Sequence, residues 1–310
     1  MTFLVGCAAL FAFGAAAVPA PPCSEVPLAD PNILLDGGVY YAYGTYDPDG
    51  IRCYTSTNLT HWSYSGLALH KKDTSEKQNF WAPEVYRLGS GKYLMYYSAN
   101  LHLYAALAER PAGPFRQVGG SLMAPLLGDA LCIDSHLALA PNGTPYLFFV
   151  RLKDGNHIWQ VQLDEDRLTP VSGTLRHCLS ATEPWEIVQG RIAEGPFVLQ
   201  IGSRFFLTYS ANDCRSPDYA LGFALSDDLG RGVWTKSPRN PFMHKWAGLT
   251  GTGHHSFFTD AEGRLRIVFH AHNLATTMQP RCMYIGTMIG EGDTLRLQPD
   301  SLIVPKLEAP

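Results

Sequence analysis

The sequence predicts an all-β fold, a five-bladed β-propeller with a central active-site channel. Three observations lead to this prediction. The 310 residues include 29 Gly, 22 Pro, 15 Tyr and 15 Phe, which is typical of many turns joining aromatic-rich strands. Strand-like segments recur about every fifty to sixty residues, five times in all, a period that fits blades of about four strands. No long amphipathic helical pattern interrupts them.

Each repeat opens with a short polar motif. The key polar residues are Asp30, Glu84, Asp134, Glu194 and His254, at intervals of 54, 50, 60 and 60. A β-sandwich would also contain short strands, but it would not predict one polar motif per period. In a propeller the innermost strand of every blade faces the channel. We therefore expect Asp30, Asp134 and Glu194 to meet at the axis, although they are far apart in the sequence.

The first twenty residues predict an export signal. An apolar run from Phe3 to Phe13 is too short to span a bilayer, and small residues and prolines follow it. No Lys or Arg precedes Arg52, so a positive leading region is missing, and the segment ending at Cys7 resembles a lipoprotein signal. A buried first strand or helix is the alternative. We expect residues 1–20 to direct export to the periplasm, the exterior or a lipid anchor, and 21–310 to form one propeller domain.

Charge and cysteine usage limit the partners. The net charge is −4, from 24 Lys+Arg and 28 Asp+Glu, so no basic field exists to bind nucleic acid. Beyond the predicted signal, six cysteines remain, which could pair in fifteen ways or stay free. None has C-x-x-C spacing, so a thiolate zinc site has no support. Apart from the lipid anchor, we expect no membrane partner, and we expect a monomer.

Taken in order, the motifs resemble those of glycoside hydrolase family 43, whose members are five-bladed propellers that cleave glycosidic bonds with inversion. The resemblance runs from Asp30 to about Val304. The stretches that carry it are Ala29-Asp30-Pro31, Trp81-Ala82-Pro83-Glu84-Val85, Ile133-Asp134, Trp185-Glu186, Ala193-Glu194-Gly195-Pro196, Tyr209-Ser210-Ala211-Asn212 and Gly251-Thr252-Gly253-His254-His255-Ser256.

The resemblance implies a catalytic role for three carboxyl groups. Asp30 would be the general base, Glu194 the general acid, and Asp134 the residue that orients the acid and tunes its pKa. Inverting hydrolysis needs one ionised and one protonated carboxyl, roughly 6.5–9.5 Å apart on opposite sides of the bond. A neighbouring Asp134 anion would disfavour ionisation of Glu194 and keep it a proton donor.

Three further residues are candidates for binding. His254 matches a channel histidine that can hold a cation through water, often calcium, and a hydrogen-bonded structural histidine is the alternative. The reaction itself requires no cofactor. Trp81 could stack against a sugar or belong to the core. Arg281 lies where the family often has an arginine that reaches substrate hydroxyls, with a solvent-facing arginine as the alternative.

Other functions of similar folds fit the sequence less well. Asp30-Pro31-Asn32 resembles part of a fructosidase motif, but Ala29 replaces its asparagine. A phosphorylase would need a basic phosphate site, and a non-catalytic sugar-binding propeller would lack a carboxylate. We expect an exo-acting α-L-arabinofuranosidase or β-xylosidase acting on plant cell-wall oligo- or polysaccharides. An endo-arabinanase and a galactan-directed hydrolase remain the alternatives.

Overall fold

The computed structural model describes residues 23–274 and 277–308. In this part of the chain, strands form five sheets, each built around four antiparallel strands that follow one another in the sequence. Each repeat therefore forms one blade, and the predicted five-bladed propeller is confirmed. The predicted export signal lies outside the described residues.

The strands are numbered β1 to β21 in chain order. Blade 1 contains β1 (Ala29–Asp36), β2 (Val39–Asp47), β3 (Gly50–Ser56) and β4 (His61–His70). Blade 2 contains β5 (Trp81–Arg87), β6 (Tyr93–Ala99), β7 (His102–Ala108) and β8 (Arg116–Val118). Blade 3 contains β9 (Cys132–Leu139), β10 (Pro145–Leu152), β11 (Asn156–Gln162) and β12 (Arg176–Ser180). Blade 4 contains β13 (Ala193–Ile201), β14 (Arg204–Ala211), β15 (Ala220–Ser226) and β16 (Thr235–Lys236). Blade 5 contains β17 (Gly253–Thr259), β18 (Leu265–Leu274), β19 (Thr277–Glu291) and β20 (Thr294–Leu297).

Helical structure is limited to short connections. One α-helical turn, α1, spans Ala124–Leu127, and three 3₁₀ turns span Lys71–Asp73, Pro184–Glu186 and Trp246–Gly248. Among the described residues no helix has the length and apolar character needed to cross a membrane.

The hydrophobic core consists of five clusters, one at each junction between neighbouring blades. Successive side chains of a second strand face opposite junctions: Leu147 and Phe149 of β10 pack towards blade 2, whereas Phe148 and Val150 pack towards blade 4. This alternation follows from the two-residue period of a strand. Because both faces of each blade are covered, the sheets stack around the axis as aromatic-rich layers.

The ring closes where the two ends of the described chain meet. Strand β21 (Lys306–Leu307) runs parallel to β4, and the backbone N–H of Lys306 donates to the carbonyl of Thr60 at 2.7 Å. The N–H of Glu25 donates to the carbonyl of Pro305 at 3.0 Å. The last strand thus covers the outer edge of blade 1, which would otherwise expose unpaired backbone groups.

All five innermost strands contain an irregularity near their first residues, where the register with the second strand shifts. In each, one residue has a positive φ, namely Asp30 (49°), Ala82 (43°), Asp134 (55°), Gly195 (54°) and His254 (42°). We call these five the bulge residues. Bulges re-aim side chains at sheet ends and near active sites.

The bulge residues correct the predicted repeat. The five polar motif residues were expected at equivalent positions, but in blade 2 this position belongs to Ala82, and Glu84 follows two residues later. In blade 4 it belongs to Gly195, one residue after Glu194. Whether two residues occupy equivalent positions in different blades depends on the register between the first and second strands. The spacing of polar residues in the sequence does not reveal this register.

Candidate active site

A pocket of about 180 Å³ lies at the end of the propeller where the innermost strands begin. It brings together all six residues singled out from the sequence; its lining consists of Asp30, Trp81, Ile133, Asp134, Glu194, Cys214, His254 and Arg281. The ring arrangement explains this convergence, because the first residues of β1, β5, β9, β13 and β17 all approach the axis from the same side.

Asp30 is buried but surrounded by cationic and polar groups. The Arg281 guanidinium donates to its carboxylate through Nη1 at 2.9 Å, and His254 Nδ1 lies 3.3 Å from the same oxygen. Burial alone would raise the pKa of this carboxyl, but the charge of the Arg281 guanidinium, together with the neighbouring His254 and His270 rings, outweighs burial and holds the pKa well below its usual range. Asp30 is therefore ionised at neutral pH.

Glu194 has the opposite character. It is 9% exposed, and burial, reinforced by the nearby Asp30 charge, raises the pKa of its carboxyl to about 7 against the hydrogen bonds that favour ionisation. Tyr219 Oη lies 2.9 Å from one carboxyl oxygen, and Asn156 donates to the other at 2.8 Å. Both oxygens are thereby held in place on a side chain that retains a proton close to neutrality.

Asp134 stands beside this acid. Its Oδ2 accepts the backbone N–H of Gly195, the residue after Glu194, at 3.2 Å. Burial raises the pKa of Asp134, and the charges of Glu194 and Asp30 raise it further. Two buried carboxyls that repel each other do not both ionise readily, so Asp134 and Glu194 share a proton as a pair.

His254 lies between the carboxyls, with Nδ1 4.0 Å from Asp134 Oδ2. Burial lowers its pKa, against the attraction of the Asp30 carboxylate, so the ring is neutral at neutral pH. His254 therefore lines the pocket as a neutral polar side chain and does not carry a permanent charge.

Below the pocket, a narrow cavity of about 10 Å³ continues along the axis, which is about the space of one water molecule. Two lining atoms, Ser135 Oγ and His255 Nδ1, are buried without a protein hydrogen-bond partner, so the cavity suits water. Glu84, also in the lining, is already engaged by His136 Nδ1 at 2.9 Å. Within the described ranges no three His, Cys, Asp or Glu side chains form a metal-binding group. A channel cation would thus be held through water, and its presence remains a prediction.

The other two candidates both line the pocket, and their contacts with a sugar remain predictions. Arg281 does not face solvent: its side chain is 10% exposed and its charge is directed to Asp30. Trp81 is half-buried against the cluster between blades 3 and 4.

Two glycines of the Gly251-Thr252-Gly253-His254 stretch make room for neighbouring rings. A Cβ on Gly253 would lie 2.2 Å from the Tyr219 ring, and one on Gly251 would lie 2.2 Å from His272. Tyr219 can therefore pass over the strand to reach Glu194 only because residue 253 has no side chain. His272 Nε2 is hydrogen-bonded to the carbonyl of Cys214 at 2.8 Å.

Sequence reasoning missed three residues that hold the carboxyls. Tyr219 and Asn156 bind Glu194, and His270 Nδ1 accepts the backbone N–H of Asp30 at 3.2 Å. His270 also stacks on Tyr219, with ring centroids 5.6 Å apart. None belongs to a first-strand motif, so the repeat could not identify them.

The cysteines are all free thiols in the described part of the chain. Two of them approach one another, since Cys23 and Cys282 both contact Asn273 Oδ1, at 2.6 and 3.9 Å. Cys53, Cys132 and Cys178 are buried. The structure therefore provides no disulfide framework, and the core clusters provide the packing instead.

The arrangement has a definite chemical capacity. One carboxylate is kept ionised by Arg281, and another carboxyl is kept near its protonated state by burial, within one pocket. A pair with separated pKa values can accept a proton at one point and donate one at another.

Comparisons with known proteins show what the chain is similar to. The family model described as Glycosyl hydrolases family 43 matches residues 20–288. A crystal structure named endo-1,4-beta-xylanase from Bacteroides thetaiotaomicron is similar with a TM-score of 0.87 and 36% identity, covering 94% of this chain and 100% of that one. The extracellular exo-alpha-(1->5)-L-arabinofuranosidase of Streptomyces avermitilis is 28% identical over 273 residues, covering 79% of this chain. The protein of the same name from Streptomyces chartreusis is 26% identical, covering 82% of this chain and 84% of that protein. This chain matches only 54% of the length of the Streptomyces avermitilis protein.

Proposed function

Because the chain belongs to glycosyl hydrolases family 43, we propose that it hydrolyses pentose glycans with inversion, using Asp30 as general base and Glu194 as general acid. One observation carries the proposal. Within a single pocket, the pKa of Asp30 is held well below its usual range, whereas that of Glu194 is raised to about 7. Inverting hydrolysis requires this difference between two carboxyls.

The reaction follows from these protonation states. Glu194 gives its proton to the glycosidic oxygen as the bond to the anomeric carbon breaks. A water molecule on the opposite face of the sugar attacks that carbon, and Asp30 takes a proton from the water. The products are a sugar of inverted configuration and the free alcohol, after which both carboxyls exchange protons with solvent. Asp134 orients the acid, and its negative charge disfavours ionisation of Glu194.

The substrate we propose is a terminal α-L-arabinofuranosyl unit, removed from the end of an oligo- or polysaccharide. The names of the two Streptomyces relatives support this choice, as well as export of the protein. A β-D-xyloside is the second candidate, supported by the 36% identical protein named as a xylanase. Trp81 would contact a face of the sugar, and Arg281 its hydroxyls.

A substrate panel tests the proposal. We expect nitrophenyl α-L-arabinofuranoside to be cleaved faster than the β-D-xyloside and the β-D-galactofuranoside, and linear arabinan to release arabinose alone. A ladder of arabinan oligosaccharides would instead indicate endo action. Binding of sugars without cleavage of any glycoside would support a non-catalytic propeller and overturn the proposal. Asp30→Asn serves as the inactive control for all substrates, Glu194→Gln serves as the control for arabinan, and both variants should still bind sugar.

A further inference from the structure

A side chain from the neighbouring blade caps the backbone N–H of the bulge residue at four of the five blade junctions. Thr45 of β2 accepts the N–H of Ala82 at 2.9 Å, and Ser98 of β6 accepts that of Asp134 at 3.0 Å. Ser210 of β14 accepts the N–H of His254 at 2.8 Å, and His270 of β18 accepts that of Asp30 at 3.2 Å. In each case the second strand of one blade serves the first strand of the next.

The capping residue always occupies the same register position. It pairs with the residue that precedes the bulge residue of its own blade: Thr45 with Ala29, Ser98 with Trp81, Ser210 with Glu194 and His270 with Gly253. In blade 3 this position belongs to Val150, which pairs with Ile133.

Val150 also has the orientation of a capping residue. It packs with Phe148 in the cluster between blades 3 and 4, so its side chain faces blade 4, where the next bulge residue, Gly195, lies. A valine has no acceptor for the Gly195 N–H. That N–H instead donates to Asp134 Oδ2, a bond that replaces the missing cap.

We infer that Val150 is a positioning residue. Because its side chain has no hydroxyl, the Gly195 N–H donates to Asp134, and this hydrogen bond connects the Asp134 carboxylate to the strand of the general acid. The geometry of the cap stands by itself, whereas its catalytic meaning rests on the proposed function. Because Gly195 directly follows Glu194, one hydrogen bond sets the spacing between the two carboxyls of the pair. A hydrogen bond to the ionised form also favours the Asp134 anion.

A double-mutant cycle on stability tests the cap without any assay of activity. Asp134→Ala removes the acceptor and leaves the buried Gly195 amide unpaired, which is unfavourable. In that background, Val150→Thr supplies the hydroxyl found in blade 1, so we expect it to raise the denaturation midpoint. In the wild-type background, where Asp134 is present, the same substitution places a hydroxyl in an apolar cluster. The nearby Gly195 amide is already bound there, so we expect no rise in the denaturation midpoint. An equal change in both backgrounds would overturn the inference.

The matched control reverses the substitution in blade 1, where the carboxylate of the bulge residue, Asp30, is already engaged by Arg281. Thr45→Val should lower the denaturation midpoint because the Ala82 amide loses its only cap. An unchanged midpoint in this variant would mean that these caps do not contribute, which overturns the premise.

The catalytic role needs its own readout. With Asp134 intact, Val150→Thr introduces a competitor for the Gly195 amide, and we expect kcat to fall several-fold with KM nearly unchanged. If the double-mutant cycle shows coupling but kcat is unchanged, Val150 determines the hydrogen-bond partner of Gly195 but is not a positioning residue for catalysis. If wild-type protein cleaves no glycoside, the proposed function fails, and the denaturation cycle still decides whether Val150 governs the partner of Gly195.

Discussion

At the scale of single residues, the site depends on giving the same chemical group two environments. Asp30 and Glu194 are both carboxyls and both buried, so desolvation pushes the pKa of each upward. Arg281 reverses that effect for Asp30 through a direct contact, whereas Glu194 receives only neutral donors. The difference between an ionic and a neutral partner therefore separates base from acid.

This difference predicts the pH dependence of kcat/KM, which reports the free enzyme. The proposed mechanism requires ionised Asp30 and protonated Glu194. The pKa of Asp30 lies well below 3.8, so we expect no acid-side loss down to about pH 4. The pKa of Glu194 is about 7, so activity should decline as the pH rises through that value. A profile still rising at pH 8 would contradict the assignment.

Arg281→Met tests the origin of the low pKa of Asp30. Without the guanidinium, burial dominates, and the pKa of Asp30 rises. We expect kcat/KM to fall at pH 5 relative to pH 6.5, by roughly tenfold for each unit that the pKa exceeds the assay pH. Arg281→Lys, which keeps the charge, is the control and should shift the acid side less. An acid side identical to that of the wild type would show that Arg281 does not set this pKa.

Glu194→Gln should distinguish the acid from the base by leaving-group dependence. The amide keeps the shape of the side chain but donates no proton in the reaction, so cleavage of arabinan should slow by about 10²- to 10⁴-fold. Dinitrophenyl arabinofuranoside needs little protonation and should be affected much less. Asp30→Asn should impair both substrates alike, and the same response in the two variants would rule out this division of roles.

At the scale of elements, the bulge in each innermost strand determines which side chains face the channel. The sequence predicted the strands and most of the polar residues, because aromatic alternation and motif spacing are local signals. It did not predict the register, which placed Ala82 and Gly195 where Glu84 and Glu194 were expected. It also missed Tyr219, Asn156 and His270, since second strands and loop ends contribute them one at a time and leave no periodic pattern.

Gly253→Ala tests how an innermost strand makes room for Tyr219. The added Cβ would lie 2.2 Å from the ring, so the ring must move and its hydrogen bond to Glu194 is disturbed. Overpacking of this kind costs about 1–3 kcal/mol, measurable by chemical denaturation, and we expect kcat to fall as well. Gly120→Ala is the control, because nothing lies within 4 Å of its added Cβ. Equal effects of the two substitutions would contradict the explanation.

At the scale of the whole molecule, the propeller converts separation in sequence into contact at one axis. Three carboxyls on β1, β9 and β13 meet only if the ring is closed, and β21 pairs with β4 where the ends of the described chain meet. The fold was predictable because five similar periods each contain enough strands for one blade. The closing strand was not, since two residues paired across the ends of the described chain leave no pattern in the sequence.

Removal of residues 305–310 tests the closure. Three backbone hydrogen bonds would be lost, from Glu25 to Pro305, Lys306 to Thr60 and Glu308 to Trp62. At about 0.5–1.5 kcal/mol for each hydrogen bond, the free energy of unfolding should fall by about 1.5–4.5 kcal/mol in urea denaturation. Lys306→Ala removes only an exposed ion pair with Glu25 and should leave that free energy nearly unchanged. A truncated protein as stable as the full chain would show that β21 does not close the ring.

The most direct test of the central claim is the configuration of the first sugar released, followed by proton NMR during hydrolysis of an α-L-arabinofuranoside. Asp30 acting on water, with Glu194 protonating the leaving oxygen, predicts that β-L-arabinofuranose appears first and then equilibrates. Initial release of the α anomer would mean retention through a covalent intermediate, and it would contradict the roles assigned to both carboxyls.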